Sequence, residues 1–279
     1  MNFHADYTRA AREIYTDGLA VGKGALDLRL VQTLRTVAMR LYSDALHNGN
    51  AVLRGPDRYY FQIDLESLGL NLGLALIRNA WFRGVSEAIL GPEYRIVDLG
   101  IDVPGPGARN QPLHRDHKIP ERFFGLAPER HELIWLTFNV PLEPWTLQNA
   151  PLMYVPGTQF VMWDENTLRP PAADTERYKA RAKPLLLEEG DLVARTALML
   201  HYGSAMRGPS FRPTLSIGVG LPGGDPDEPP NLRHVARFTR RAWNRLDPRD
   251  RLHFRAELYD KLEPFPPLHQ IPEIVEATD

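Results

Sequence analysis

From Tyr94 to Pro222 the apolar residues come only in short runs: YRIVDLGIDV, ELIWLTFNVPL, PLMYVPG, KPLLLEEGDLVART, ALMLHYG and TLSIGVGLP. Proline, glycine and charged turns separate them. Runs of this length, several of them alternating polar with apolar, are the pattern of strands joined by turns, and so many in one stretch point to a β-sandwich or barrel. Upstream the texture differs. Leu30, Val31, Leu34, Val37, Ala38, Leu41 and Ala45 recur at three- and four-residue spacing, which predicts an amphipathic helix over 26–46 with Gly49 as its stop. A second helix is predicted over 74–90, closed by Gly91. The chain therefore reads as one mainly β domain with flanking helices (α+β): a helical layer over 1–92, a β core over 93–222 and a C-terminal extension over 223–279. The extension is rich in proline, as in LPGGDPDEPPN and LEPFPPLHQIP. Its arginine-rich part, 231–259, is expected to be partly helical and packed on the outside, with RFTRRAWNRLDPRDR as a solvated face.

Composition excludes several function classes. Of 279 residues, 43% are hydrophobic and 24% charged, enough apolar material for a sizeable core. The net charge is −2 with both signs interspersed, so no basic field suits nucleic acid. Cysteine is absent, which removes disulfides, thiolate nucleophiles and Cys-based metal sites. No apolar run approaches the ~18 residues of a membrane span, and the N-terminus lacks the apolar region of a signal peptide. A cytoplasmic, soluble monomer or homodimer acting on a small molecule, with no nucleic acid and no membrane as partner, is the expectation.

The stretch ARNQPLHRDHKIPERF places His114 and Asp116 two residues apart. On an extended strand, i and i+2 project from one face, so an imidazole and a carboxylate would point the same way. The spacing alone carries little weight, because His4 and Asp6 match it equally. His117 sits at an odd offset from Asp116 and would face the other side. A third ligand is available in His201, at the end of the apolar run TALMLHYG, although a lone His there is more often structural. Two His and one carboxylate with open positions form the arrangement of non-haem Fe(II) oxygenases. Arg212 follows eleven residues later. A buried Arg needs an anion, and a carboxylate is its natural bidentate partner.

Taken in order, these segments resemble the phytanoyl-CoA dioxygenase family of Fe(II)/2-oxoglutarate oxygenases. PGPGARNQPLHRDHKIP is similar to the family's His-x-Asp segment, and LQNAPLMYVPGTQF to its Asn-Gly…Pro-Gly-Ser/Thr-His stretch, ending here in Thr158-Gln159. PLLLEEGDLVARTALMLHYGSAMRGPSFRPTLSIGV is similar to its Gly-Asp turn, distal His and 2-oxoglutarate-binding Arg, and DGLAVGKGALDLRLVQTLRTVAMRL to its opening strand and first helix. The likeness spans about 16–220. It implies a double-stranded β-helix (jelly roll, cupin-like) core behind an N-terminal helical layer. It further implies Fe(II) held by His114, Asp116 and His201, and 2-oxoglutarate clamped by Arg212 with Asn139 and Ser204 nearby. O2 would drive decarboxylation to succinate and CO2 with hydroxylation of a small metabolite, such as an amino acid or natural-product intermediate. The carboxylate of Asp116 favours hydroxylation over halogenation, since related halogenases lack it. Tyr60, Trp135 and His131 are expected along the substrate wall. Two alternatives stand beside this: a non-catalytic or Zn-binding cupin-like protein, and an oxygenase that desaturates or cyclises.

Overall fold

The computed structural model describes residues 3–163, 166–223 and 235–267; most of LPGGDPDEPPN and the end of the tail lie outside them. The first elements are α1 (Phe3–Asp17), β1 (Leu19–Gly22), α2 (Leu28–His47), β2 (Val52–Leu53), β3 (Arg58–Gln62), α3 (Leu70–Ile77) and α4 (Ala80–Leu90). Then come β4 (Arg95–Pro104), β5 (Trp135–Pro141), β6 (Leu152–Tyr154), α5 (Ala172–Lys179), β7 (Lys183–Pro184), β8 (Leu192–Thr196), β9 (His201–Gly203) and β10 (Thr214–Gly220). The chain continues with β11 (Ala236–Thr239), α6 (Arg240–Arg245), α7 (Pro248–Arg251) and β12 (Ala256–Tyr259).

Seven strands form an antiparallel sheet in the order β1-β8-β5-β10-β4-β3-β2, and β7-β6-β9 form a smaller one. This mainly β arrangement with flanking helices is what the strand runs predict, and its two antiparallel sheets form the jelly roll that the family resemblance implies. Alternation along the strands decides what each face does. Leu136, Phe138 and Val140 of β5, Leu215, Ile217 and Val219 of β10, and Leu99, Ile101 and Val103 of β4 are buried in one apolar cluster with the helices. Between them Thr137 and Asn139, Thr214 and Ser216, and Asp98 and Asp102 face the opposite way. One face thus makes the core, and polar residues line the other.

The helices cover the apolar face. Asp27 caps α2 by accepting from Arg29 N and Leu30 N, and Val31, Leu34, Ala38, Tyr42 and Ala45 are its buried stripe. The helix predicted over 74–90 is two helices. Asn79 leaves the helical region (ψ 132°) and accepts from Trp81 N and Phe82 N, while its amide donates to Ala25 O at 2.7 Å. An asparagine whose side chain caps one helix ends the one before it. The layer over 1–92 also carries β1, β2 and β3 in the large sheet, so helices and strands are interleaved there. His4 and Asp6 lie in α1.

Phe82 is fully buried, with its ring 4.3 Å from that of Phe138 and 6.3 Å from that of Tyr94. Truncating such a residue removes its transfer free energy and leaves a void. Phe82→Ala is expected to lower stability by about 3–5 kcal/mol, read as the shift in a urea unfolding curve. A change under about 1 kcal/mol would contradict this account of the helix–sheet interface.

The extension joins this core. Phe238, Leu246 and Phe254 belong to the same buried cluster, and β11 pairs in parallel with β12. Its charge run is only partly a solvated face. Arg240, Arg241, Arg245 and Arg249 are exposed, but Asp250 is buried and meets Arg83 at 2.6 Å as well as Arg78, and Arg237 meets Asp64 at 2.6 Å. The sequence pattern shows the excess of arginine; the partners that fix the segment come from distant elements.

Candidate metal centre

His114 and His201 stand directly opposite each other in an antiparallel bridge. His114 N donates to His201 O (3.0 Å) and His201 N to His114 O (2.8 Å). The expected strand end at His114 is this single bridge, after which the chain bends and Asp116 N donates to Ala197 O. Asp116 nevertheless reaches the same side. One ligand atom from each of His114, Asp116 and His201 lies within 4.8 Å of the others. Asp116 Oδ1 is 3.4 Å from His201 Nε2 and 3.7 Å from His114 Nε2.

The far ring nitrogens fix the tautomers. His114 Nδ1 lies 2.8 Å from Pro112 O, and His201 Nδ1 lies 2.9 Å from Met199 O. Each Nδ1 must carry the proton to make that bond, which leaves Nε2 with a free lone pair toward Asp116. Burial, with Arg195 adding to it, pushes the His201 pKa down to about 4 against the pull of Asp116, so the ring is neutral at physiological pH. Desolvation alone would raise Asp116, but the Arg195 guanidinium and the imidazoles outweigh it and hold the carboxyl well below the usual carboxylate range. Two imidazoles and one carboxylate make a three-donor set for an octahedral metal with positions to spare. The donor set fits iron.

These atoms open into a cavity between the two sheets, lined by four guanidinium groups (Arg54, Arg58, Arg195, Arg212) and two carboxylates (Asp102, Asp116). Arg212 is buried. It donates from Nη1 to Thr214 Oγ1, approaches Asp102 Oδ2 at 3.6 Å from Nη2, and lies 4.7 Å over the Trp145 ring. Its Nε, like that of buried Arg58, has no hydrogen-bond partner among the described residues. Burial pulls Arg212 down to about 9, opposed by Asp102 and reinforced by Arg58. That is the signature of a buried cation short of negative charge.

The cavity brings together His114, Asp116, His201, Arg212, Asn139 and Tyr60 from among the predicted residues. The Tyr60 phenol donates to Asp98 Oδ2 (2.9 Å) and lies over Gly100, where any Cβ would collide with it. Three predicted residues are elsewhere. Ser204 does not assist Arg212: its hydroxyl donates to Pro151 O (2.7 Å), and its carbonyl accepts from Arg58 Nη2 (2.9 Å). Along β9, His201 and Gly203 face inward, so Ser204, at an odd offset from His201, turns outward. His131 is buried but stacked on Phe123 (centroids 5.1 Å) and against Phe160 (5.5 Å), with Nε2 bonded to Leu126 O (3.2 Å). Trp135 sits at the start of β5 beside His117 (6.0 Å). Neither lines the cavity.

Sequence reasoning missed Arg58, Arg195, Asp102 and Trp145. Arg195 had a signal, a lone cation inside the apolar run DLVARTALML. The other three had none without their partners.

A model of the phytanoyl-CoA dioxygenase family matches residues 15–214. Among solved structures, AviO1 from Streptomyces viridochromogenes Tue57 is similar at a TM-score of 0.58 with 19% identity, over 81% of this chain and 97% of that one. The epimerase SnoN, in complex with Fe3+, alpha ketoglutarate and nogalamycin RO, is similar at 0.60 with 17% identity, over 78% and 84%. EctD from S. alaskensis with bound Fe is similar at 0.59 with 18% identity, over 81% and 82%. These likenesses bear on the fold.

Proposed function

Given that this chain belongs to the phytanoyl-CoA dioxygenase family, a family of Fe(II)/2-oxoglutarate-dependent oxygenases, we propose that it hydroxylates an unactivated C–H bond of a small metabolite, an amino acid or natural-product intermediate. In this reading His114, Asp116 and His201 hold Fe(II), and Arg212 with Thr214 holds the distal carboxylate of 2-oxoglutarate. The observation that carries it is the three-donor cluster facing a cavity in which guanidinium groups outnumber carboxylates by two. A dicarboxylate brings two of the negative charges that these guanidiniums and a divalent metal call for. The chemistry supplied by bound iron with O2 is oxidative decarboxylation of 2-oxoglutarate to succinate and CO2, coupled to oxidation of the substrate.

The chain's own residues prepare for this. Pro112 O and Met199 O hold the imidazoles with Nε2 inward. Trp145 covers one face of Arg212, which excludes water and strengthens the guanidinium's hold on a carboxylate. Asp102 stays between Arg58 (3.3 Å) and Arg212 (3.6 Å), so the two cations do not face each other unscreened. Among the described residues no helix is long and apolar enough to cross a membrane.

Mixing the protein with Fe(II) and 2-oxoglutarate without O2 is expected to give a visible charge-transfer band, and O2 to yield succinate. No band would sink the oxygenase reading in favour of a Zn-binding or non-catalytic one. Product mass then separates outcomes: gain of one oxygen for hydroxylation, loss of two hydrogens for desaturation or cyclisation, no change for the epimerase chemistry named for SnoN.

A further inference from the structure

The two oxygens of Asp116 have different surroundings. Oδ1 faces both imidazoles, at 3.4 and 3.7 Å. Oδ2 is 2.6 Å from Arg195 Nη1. Arg195 is 7% exposed, on β8. Its Nε donates to Asn139 Oδ1 (3.3 Å) on β5, and Asn139 Nδ2 donates to Ser216 Oγ (2.7 Å) on β10. Asn139 and Ser216 are register partners, and β8, β5 and β10 are neighbours in the large sheet. Three adjacent strands thus each give one inward residue to a line ending on the oxygen that points away from the imidazoles.

We propose that Arg195 is a positioning residue that confines Asp116 to one-oxygen coordination of the metal, with Asn139 and Ser216 fixing the plane of its guanidinium. The inference rests on the iron-oxygenase reading above. Its chemical sense is a count of positions. Six sites around an octahedral ion, less two imidazoles and one carboxylate oxygen, leave three: two for a chelating 2-oxoacid and one for O2. A carboxylate chelating through both oxygens would take the last. The 2.6 Å ion pair occupies Oδ2 and draws electron density from the carboxylate, making Oδ1 a weaker donor. Asn139 is therefore tied to the ligand carboxylate through Arg195.

The test compares Arg195→Met, of similar length and uncharged, with Arg195→Lys, which keeps one charged donor. With Fe(II) and 2-oxoglutarate under anaerobic conditions, Arg195→Met is expected to move the charge-transfer band to longer wavelength, since a freed Asp116 donates more strongly. It is also expected to slow the O2-dependent decay of the band by about tenfold, the lower end of what outer partners of metal ligands contribute. Arg195→Lys should recover most of both. A band at the parent wavelength with parent decay in Arg195→Met overturns the inference alone; no band in the parent overturns it together with the oxygenase reading. Should Arg195→Met not fold, Asn139→Ala, which loosens the guanidinium without removing it, is expected to give a smaller shift in the same direction, and an unshifted band there overturns the inference equally.

Discussion

Asp116→Ala is expected to abolish Fe(II) binding at concentrations that saturate the parent protein and to lower succinate release by on the order of 10³ or more. Loss of an outer-shell partner already costs metal sites about 10–100-fold, and Asp116 supplies the only anionic donor of the three. Two imidazoles would remain beside a buried guanidinium whose nearest charge has gone. Stranding one member of a buried pair costs about 3–5 kcal/mol, so the same variant should also melt earlier. Asp116→Asn separates the two effects. It keeps the shape and an oxygen for Arg195 to meet, so the fold should survive while metal affinity still falls steeply. Isothermal titration with Fe(II) beside a thermal melt reads both. Parent-like iron affinity in either variant would remove Asp116 from the metal site.

Arg212→Ala is expected to weaken 2-oxoglutarate binding by about 10²–10³, with Fe(II) binding little changed. Truncating one partner of a buried, hydrogen-bonded charge pair costs about 2–5 kcal/mol, and Arg212 meets the conditions for the upper part of that range. It is buried, capped by Trp145, and left with an unpartnered Nε. Arg58 remains nearby, but it is already engaged with Asp102 and Ser204 O, so it offers little compensation. Arg212→Lys should recover only part of the affinity, because an ammonium cannot reproduce the planar fork. Titrating 2-oxoglutarate against the anaerobic charge-transfer band gives the constants directly. An unchanged midpoint in Arg212→Ala would move the cosubstrate's distal carboxylate elsewhere in the cavity.

What the sequence shows and what it hides divide along a physical line. Strand runs are legible because alternation is a local property: β5 and β10 fall inside the runs predicted for them, and β4 overruns its own by Pro104 alone. His201 is legible as a lone imidazole at the end of an apolar run, whereas His114 and Asp116 gain weight only from the order of the segments and their likeness to the family. α1 escapes the same reading because only Ala10 and Ile14 are recorded as buried along FHADYTRAAREIYTD, too thin a stripe to show a period. The break at Asn79 is written in the sequence as a cap residue but is masked by continuous apolar residues on both sides. The pairing of Arg195 with Asp116 depends on which strands become neighbours, and no local pattern encodes that. Ser204 shows the reverse case: the resemblance implied a role, and an odd offset from His201 along an alternating strand turns its hydroxyl out of the cavity, onto Pro151 O.

The reciprocal bridge between His114 and His201 has a consequence for how relatives of this chain can diverge. Two backbone hydrogen bonds set the opposition of the imidazoles, independent of any loop. Insertions in 118–133 or 166–182 would leave that register untouched, so those loops can lengthen, shorten or exchange freely. An insertion within 112–116 or 199–203 would instead turn an imidazole to the opposite face. Variation in length is thereby directed to the outlying loops and barred from the few residues that would hold a metal.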